Sequence, residues 1–260
     1  MALSERTQAF VNLYAGIGVL EKYLELDESA KELAKQHNVA IRFKVKGGPD
    51  GVVDIKNGAC KVYPYEEGVK TNVVLYFDSC DKFNRLVAGE NVMPIPTKGI
   101  LKVLTLLAKP DQWFNVLTGD MAALMRKKEF DNDDEKKRSV TLAFYAMTLG
   151  AVVLGNEDPI AQWAMRATAD GEVSLGIKDV AYSTIVKSGG KNGKFTAVLE
   201  KSQNPRSIME FADIDTAGGV INGTLDAMTA VSTGRLETKG HMLMLDSFNK
   251  IAAILPRYLS

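Results

Sequence analysis

Cysteine and histidine are nearly missing from these 260 residues, which hold two of each. With no Cys-x-x-Cys spacing, two histidines leave no metal-ligand set. Cys60 and Cys80 both fall in the first half and have no counterpart in the second, which speaks against a disulfide framework and fits a reducing cytosol. Net charge is missing too: 32 basic side chains balance 32 acidic ones, so the whole-chain field exerts no long-range pull on nucleic acid or an anionic membrane. The opening residues MALSERTQAF lack the apolar stretch of a signal peptide. The C-terminal Arg257-Tyr258-Leu259-Ser260 lacks the Ser/Ala-Lys-Leu peroxisomal address. No run of about 18 uncharged apolar residues is expected to cross a bilayer. The expectation is a cytoplasmic protein that binds no nucleic acid.

What is present is an ordinary globular composition, 46% hydrophobic and 25% charged, in a chain long enough for two domains of about 130 residues. An internal echo supports two. Phe77 is followed by Gly89 as Phe211 is followed by Gly223, an offset of 134, and at the same offset Val39, Ile41 and Phe43 answer Val173, Leu175 and Ile177. The charge run Arg126 to Arg138 separates the halves; its interleaved acids would repel phosphates.

In the first half, Phe10, Leu13, Tyr14, Ile17, Leu20 and Leu24 predict one helix face between Thr7 and Leu26, weakened by Gly16 and Gly18. Asp27 is placed to cap a second helix. Val39, Ile41, Phe43 and Val45 alternate with cationic residues as a half-buried strand does. Val52 to Lys56, the Asn57-Gly58 turn and Ala59 to Tyr63 read as a hairpin, and a further strand runs from Thr71 to Phe77.

These residues resemble the sterol carrier protein 2 (SCP2) family. Phe43 to Lys46 match its Phe-Lys-Val-Lys strand, Gly48 and Pro49 its turn, Val53 to Gly58 its Val-Asp-x-Lys-Asn-Gly hairpin, and Val62 to Pro64 the strand that follows. Asp81 to Gly89 resemble its acidic helix leading to Leu-x-x-Gly, and Gly99 to Val103 a Gly-x-Leu-Lys-Val strand. The chain departs from the animal members in a shorter connection between Gly51 and Val52.

The second half repeats the plan. A helix through Val140, Phe144 and Met147 is followed by a turn at Asn156 to Pro159, and then by strands over Glu172 to Ile177, Tyr182 to Val186, Lys194 to Leu199 and Ile208 to Phe211. The run Ser188 to Lys194 fails the phosphate-loop spacing and reads as a hairpin turn. From Phe211 the chain supplies a helix capped at Asp213 and closed near Gly223, a small helix over Ala227 to Val231, a strand over Arg235 to Lys239, and a Met-rich final helix from Met242 to Leu255. Asp215 to Gly219 and Met228 to Leu236 resemble the later motifs of the same family.

The resemblance implies an α+β protein of two tandem SCP2-like domains, residues 1–130 and 131–260. Each would be a mainly antiparallel five-stranded sheet covered by helices around an apolar cavity. That cavity would hold a fatty acid, sterol or acyl-CoA, with no cofactor and no catalysis. In the first half the expected lining is Phe83, Leu86, Leu101, Val103, Leu104, Leu106 and Leu107, then, past Pro110, Trp113, Phe114 and Leu117. In the second it is Phe211, Val220, Met228, Val231, Leu236, Met242, Met244 and Phe248, where flexible thioethers suit irregular ligands. Read plainly, the same side chains serve as core filling. Transient membrane contact and a homodimer are compatible with this reading. The alternative is an accessory or dimerisation protein that assembles with a lipid-modifying enzyme. His37 and His241 stand in unrelated contexts with no Gly-x-Ser-x-Gly elbow, so a hydrolase has little support.

Overall fold

The computed structural model describes residues 4–107, 109 and 111–258, with the side chains of Leu104 and Met165 excepted. Leu259 and Ser260, part of the C-terminal reading, lie outside the described residues. The chain divides into two compact units, residues 1–129 and 130–260.

Unit 1 opens with α1 (Glu5–Val11), capped by the Ser4 hydroxyl. The expected single helix continues, but through a π turn at Asn12–Gly16 and a 3₁₀ turn at Ile17–Val19 before α2 (Leu20–Leu26). Widening and then tightening the helix rotates its apolar face, so Val11, Ala15 and Val19 are buried along with Leu13, Ile17 and Leu20. Asp27 caps α3 (Glu28–Lys35) by accepting from the Ala30 amide at 3.0 Å. Four strands follow: β1 (Val39–Val45), β2 (Asp50–Lys56), β3 (Ala59–Pro64) and β4 (Val73–Phe77). Asn57 and Gly58 both take positive φ, the requirement of a two-residue hairpin turn. Then come α4 (Cys80–Val87), β5 (Ile95–Lys98), α5 (Ile100–Leu106) and α6 (Trp113–Arg126). The strand expected over Gly99 to Val103 is therefore helix α5. Gly99, at φ +73°, ends β5, and the three-residue spacing of Val103 and Leu106 places both on the buried side.

Unit 2 contains α7 (Asp133–Glu157), α8 (Pro159–Ala167), β6 (Gly171–Ile177), β7 (Ala181–Ser188), β8 (Lys194–Val198), β9 (Ser207–Phe211), α9 (Ile214–Ile221), α10 (Ala227–Ser232), β10 (Leu236–Gly240) and α11 (Met242–Ala252). Asn132, midway along the charge run, caps α7 by accepting from the Glu135 amide. Contrary to the sequence expectation, α7 is long and apolar enough to cross a membrane, with mean hydropathy 1.5 over 18 residues. Yet 72% of that window is buried inside the protein, so it serves as a core helix. Asp213 and Gly223 bound α9 as expected, with the Asp213 carboxylate accepting from the Thr216 amide at 2.7 Å.

Both sheets are mixed: three of the four pairings in each are antiparallel, as expected, and one is parallel. Their orders, β3-β2-β1-β4-β5 and β8-β7-β6-β9-β10, are the same, and in each the middle strand pairs in parallel with the strand that follows the hairpin. The hairpin pattern visible in sequence carries no sign of this crossover pair. The registers also correct the repeat. Ile41 faces Val73, while Val173 faces Ser207. From Ile41 to Val173 is 132 positions, and from Val73 to Ser207 is 134. A single offset of 134 is thus two residues wrong for β1 and β6. It still matched apolar to apolar because a strand repeats its faces every two residues. Part of the difference lies in the hairpins: two residues, Asn57 and Gly58, join β2 to β3, while residues 189–193 join β7 to β8.

Candidate functional site

The interiors of the two units differ in bulk at matching positions. In unit 1 the space between sheet and helices is filled by phenyl rings. Phe83 lies 5.2 Å from Phe77 and 5.9 Å from Phe43, centroid to centroid, and Phe114 lies 6.4 Å from Phe43. At the register-matched positions unit 2 has Leu175 for Phe43 and Ala217 for Phe83, keeping only Phe211 for Phe77. Two rings are absent.

In unit 2 a cavity of about 20 Å³ lies between sheet and helices. Its floor is Val173 on β6, Ile185 on β7 and Phe195 on β8, its walls are Ala151 of α7 and Thr168, and its roof is Met244, Phe248 and Ile251 of α11. The spacing of four and three between the roof residues puts them on one face of α11. Thr168 Oγ1 donates to the Ala164 carbonyl at 3.2 Å, so the one polar side chain in the lining is satisfied elsewhere. A hollow this small holds at most a single water, and one this apolar stays dry.

Glycines on α7 shape the surroundings. A methyl at Gly155 would overlap the Phe195 ring, and one at Gly150 would overlap Leu255. Two mid-helix glycines cost about 1 kcal/mol each relative to alanine, and here they let the edge strand and the end of the chain approach. Asn156 fastens β8 reciprocally, donating to the Phe195 carbonyl at 2.8 Å and accepting from its amide at 2.9 Å. Past α11, the buried Tyr258 hydroxyl donates to Asp158 at 2.9 Å. Gly240 (φ +92°) packs against the Arg206 carbonyl as Gly99 packs against Asn72, and each glycine lies just ahead of the helix that follows the edge strand.

One charged group is buried beside this hollow. Lys187 on β7 has 1% of its side chain exposed, and its Nζ donates to the carbonyls of Thr168 at 2.5 Å and Gly190 at 2.8 Å. Its carboxylate partner, Asp170, is 3.4 Å away and 49% exposed. Amide donation from Gly190, foremost, with help from Lys187, holds the Asp170 carboxyl below its ordinary range.

Of the expected lining, Met244 and Phe248 meet at the hollow. Phe211 and Leu236 are buried elsewhere in the core of unit 2, and Val220 is half-buried on α9. Met228 (74% exposed), Val231 and Met242 face solvent. α10 has only six residues and turns Ala230 inward, while Met242 begins α11 outside its buried face. In unit 1, Phe83, Val103, Leu106 and Phe114 are buried, Leu86 is half-buried, and Leu101 is 81% exposed at the outer side of α5. The Leu104 side chain and Pro110 lie outside the described residues. Trp113 is half-buried and stacks on His37 at 4.3 Å, and burial holds that imidazole below its ordinary value of 6.5. Among the described residues no group of three His, Cys, Asp or Glu could hold a metal ion. Cys60 and Cys80 are free and buried, with burial pushing both thiols up.

No family model and no curated protein matches the chain. Solved structures do. A UbiJ-SCP2 ubiquinone synthesis protein aligns at 12% identity over 44% of this chain and 95% of its own, with a TM-score of 0.32. Sterol carrier protein domain 2 of Helicoverpa armigera aligns at 15% over 48% of this chain and 92% of its own, at 0.32. A sec-alkylsulfatase from Pseudomonas sp. aligns at 11% over 60% of this chain and 29% of its own, at 0.27. SCP2 domains thus stand among the structural neighbours. At such scores none of these likenesses establishes an activity.

Sequence reasoning missed Ala151, Thr168, Val173, Ile185, Phe195 and Ile251 of the lining. The alternation of Val173 and Ile185 on their strands was a usable signal. The two replacements for the missing rings, Leu175 and Ala217, lie outside this lining, and the wrong offset concealed one of them by pairing Phe43 with Ile177 instead of Leu175.

Proposed function

We propose that the chain is a non-catalytic lipid-binding and transfer protein of the cytoplasm, built of tandem SCP2-like domains, in which unit 2 takes an acyl chain beneath α11. The observation that carries this is the apolar hollow between sheet and helix, roofed by Met244 and Phe248. Its 20 Å³ is far below the roughly 300–1,000 Å³ of a ligand pocket. Uptake therefore needs α11 to move outward. Stripping Met244, Leu245, Phe248 and Ile251 from the core altogether would cost roughly 6–12 kcal/mol at about 1.5–3 each. Burying about sixteen carbons gains roughly 12 kcal/mol, against roughly 4–15 for association and ordering. The gain does not cover both costs, so α11 must stay packed on the lipid instead of swinging free. Methionine adapts to such a change of partner.

Membrane contact for loading is assigned to the exposed pairs Ile100 and Leu101 on α5 and Met242 and Leu243 on α11. Lys98 and Lys102 flank the first pair, and no acid occurs between Glu90 and Asp111. The same exposed side chains support the second reading, an accessory protein docked on a lipid-modifying enzyme. Native mass spectrometry of the purified chain separates the two. Co-purified acyl lipid supports the carrier, and an empty chain that assembles with an enzyme supports the accessory role.

A further inference from the structure

We propose that Lys187 binds the carboxylate of the lipid in unit 2, so that the protein selects free fatty acids over uncharged lipids of equal length. This rests on the reading that unit 2 takes an acyl chain. Among the described residues Lys187 is the only lysine or arginine that is buried. The register places it where unit 1 has Ile55, since Val39 faces Ile55 and Gly171 faces Lys187. An apolar side chain therefore suffices at this pleat position, and a buried ammonium there costs stability unless an anion meets it.

The anion it has is poorly placed. Charge-assisted bonds run about 2.7–2.9 Å, yet Asp170 stands at 3.4 Å and turns both carboxylate oxygens to the Gly190 amide at 3.0 Å. The other two partners are neutral carbonyls. Position connects the ammonium to the hollow: Ile185, two residues earlier on the same face of β7, lines it, and so does Thr168, whose carbonyl Lys187 holds. An acyl chain lying along β7 would bring its carboxylate to an ammonium that lacks a close counter-ion.

A purely structural role, in which Lys187 closes the end of α8 and pins the 189–193 loop, would not distinguish headgroups. The test uses lipid-stripped full chain titrated with hexadecanoic acid and with hexadecan-1-ol. The wild-type chain should bind the acid about tenfold or more tighter than the alcohol, the worth of a charged hydrogen bond. Lys187→Met should abolish that preference and leave alcohol binding within about twofold, while Lys187→Arg retains it. Asp170→Asn, which removes the competing anion without touching the lysine, should raise the acid-to-alcohol ratio and does not depend on Lys187→Met folding. Equal binding of acid and alcohol by the wild-type chain, an equal loss of both in a folded Lys187→Met, or an unchanged ratio in Asp170→Asn would overturn the assignment. If the wild-type chain bound neither, the lipid-binding reading itself would fall.

Discussion

Truncating Phe248 to alanine tests whether the space beneath α11 is an apolar hollow that a lipid can refill. Phe248 is buried and borders the 20 Å³ cavity. At about 24 cal/mol per Å³ the existing void costs only about 0.5 kcal/mol, which unit 2 tolerates. Removing the ring merges a much larger volume with it, and Phe→Ala changes in cores cost about 3–5 kcal/mol. Against a domain stability of about 5–15 kcal/mol the variant stays folded but weakened. Hydrogen exchange at the paired amides of β6 and β7 reads this loss directly. Adding hexadecanoic acid at about a hundred times its dissociation constant should return about 2.7 kcal/mol by mass action. A loss below about 1 kcal/mol would show that Phe248 is not packed as described, and a full loss with no recovery would show that the enlarged space does not accept an acyl chain.

Phe83→Ala in unit 1 should cost a similar 3–5 kcal/mol, because Phe83 is wholly buried against Phe43 and Phe77. No recovery of the β1–β2 amides by fatty acid is expected, since that interior is built to be filled. Tyr258→Phe removes the buried hydroxyl from Asp158 and should cost about 1–3 kcal/mol, seen as faster exchange in α11; unchanged exchange would show that the contact does not hold the end of the chain. For His37 the sign is fixed by burial: its folded pKa lies below 6.5, so the unfolded chain binds more protons as the medium turns acidic. Stability of unit 1 should be level above pH 6.5 and fall below it, and the part due to His37 should vanish in His37→Phe, as urea melts across pH 5 to 8 will report.

Local structure was the legible part of this sequence. Asp27 and Asp213 cap as their spacing announces, and Asn57-Gly58 turns as its positive φ values require. Non-local relations were hidden. The parallel pairing of β1 with β4 depends on a crossover that leaves no periodic mark, and a strand period of two disguised a two-residue register error between the halves. The site was legible only where it coincided with helix periodicity, at Met244 and Phe248. Met228 and Leu101 looked equally apolar, but short helices α10 and α5 turn them outward.

The central claim is that a lipid enters unit 2 by displacing α11 from β6, β7 and β8. Hydrogen exchange across the full chain, with and without saturating hexadecanoic acid, tests it most directly. Changed exchange centred on α11, β6, β7 and the 189–193 loop is the expected footprint. Changes centred on β1 to β4, or no saturable change anywhere, would contradict it.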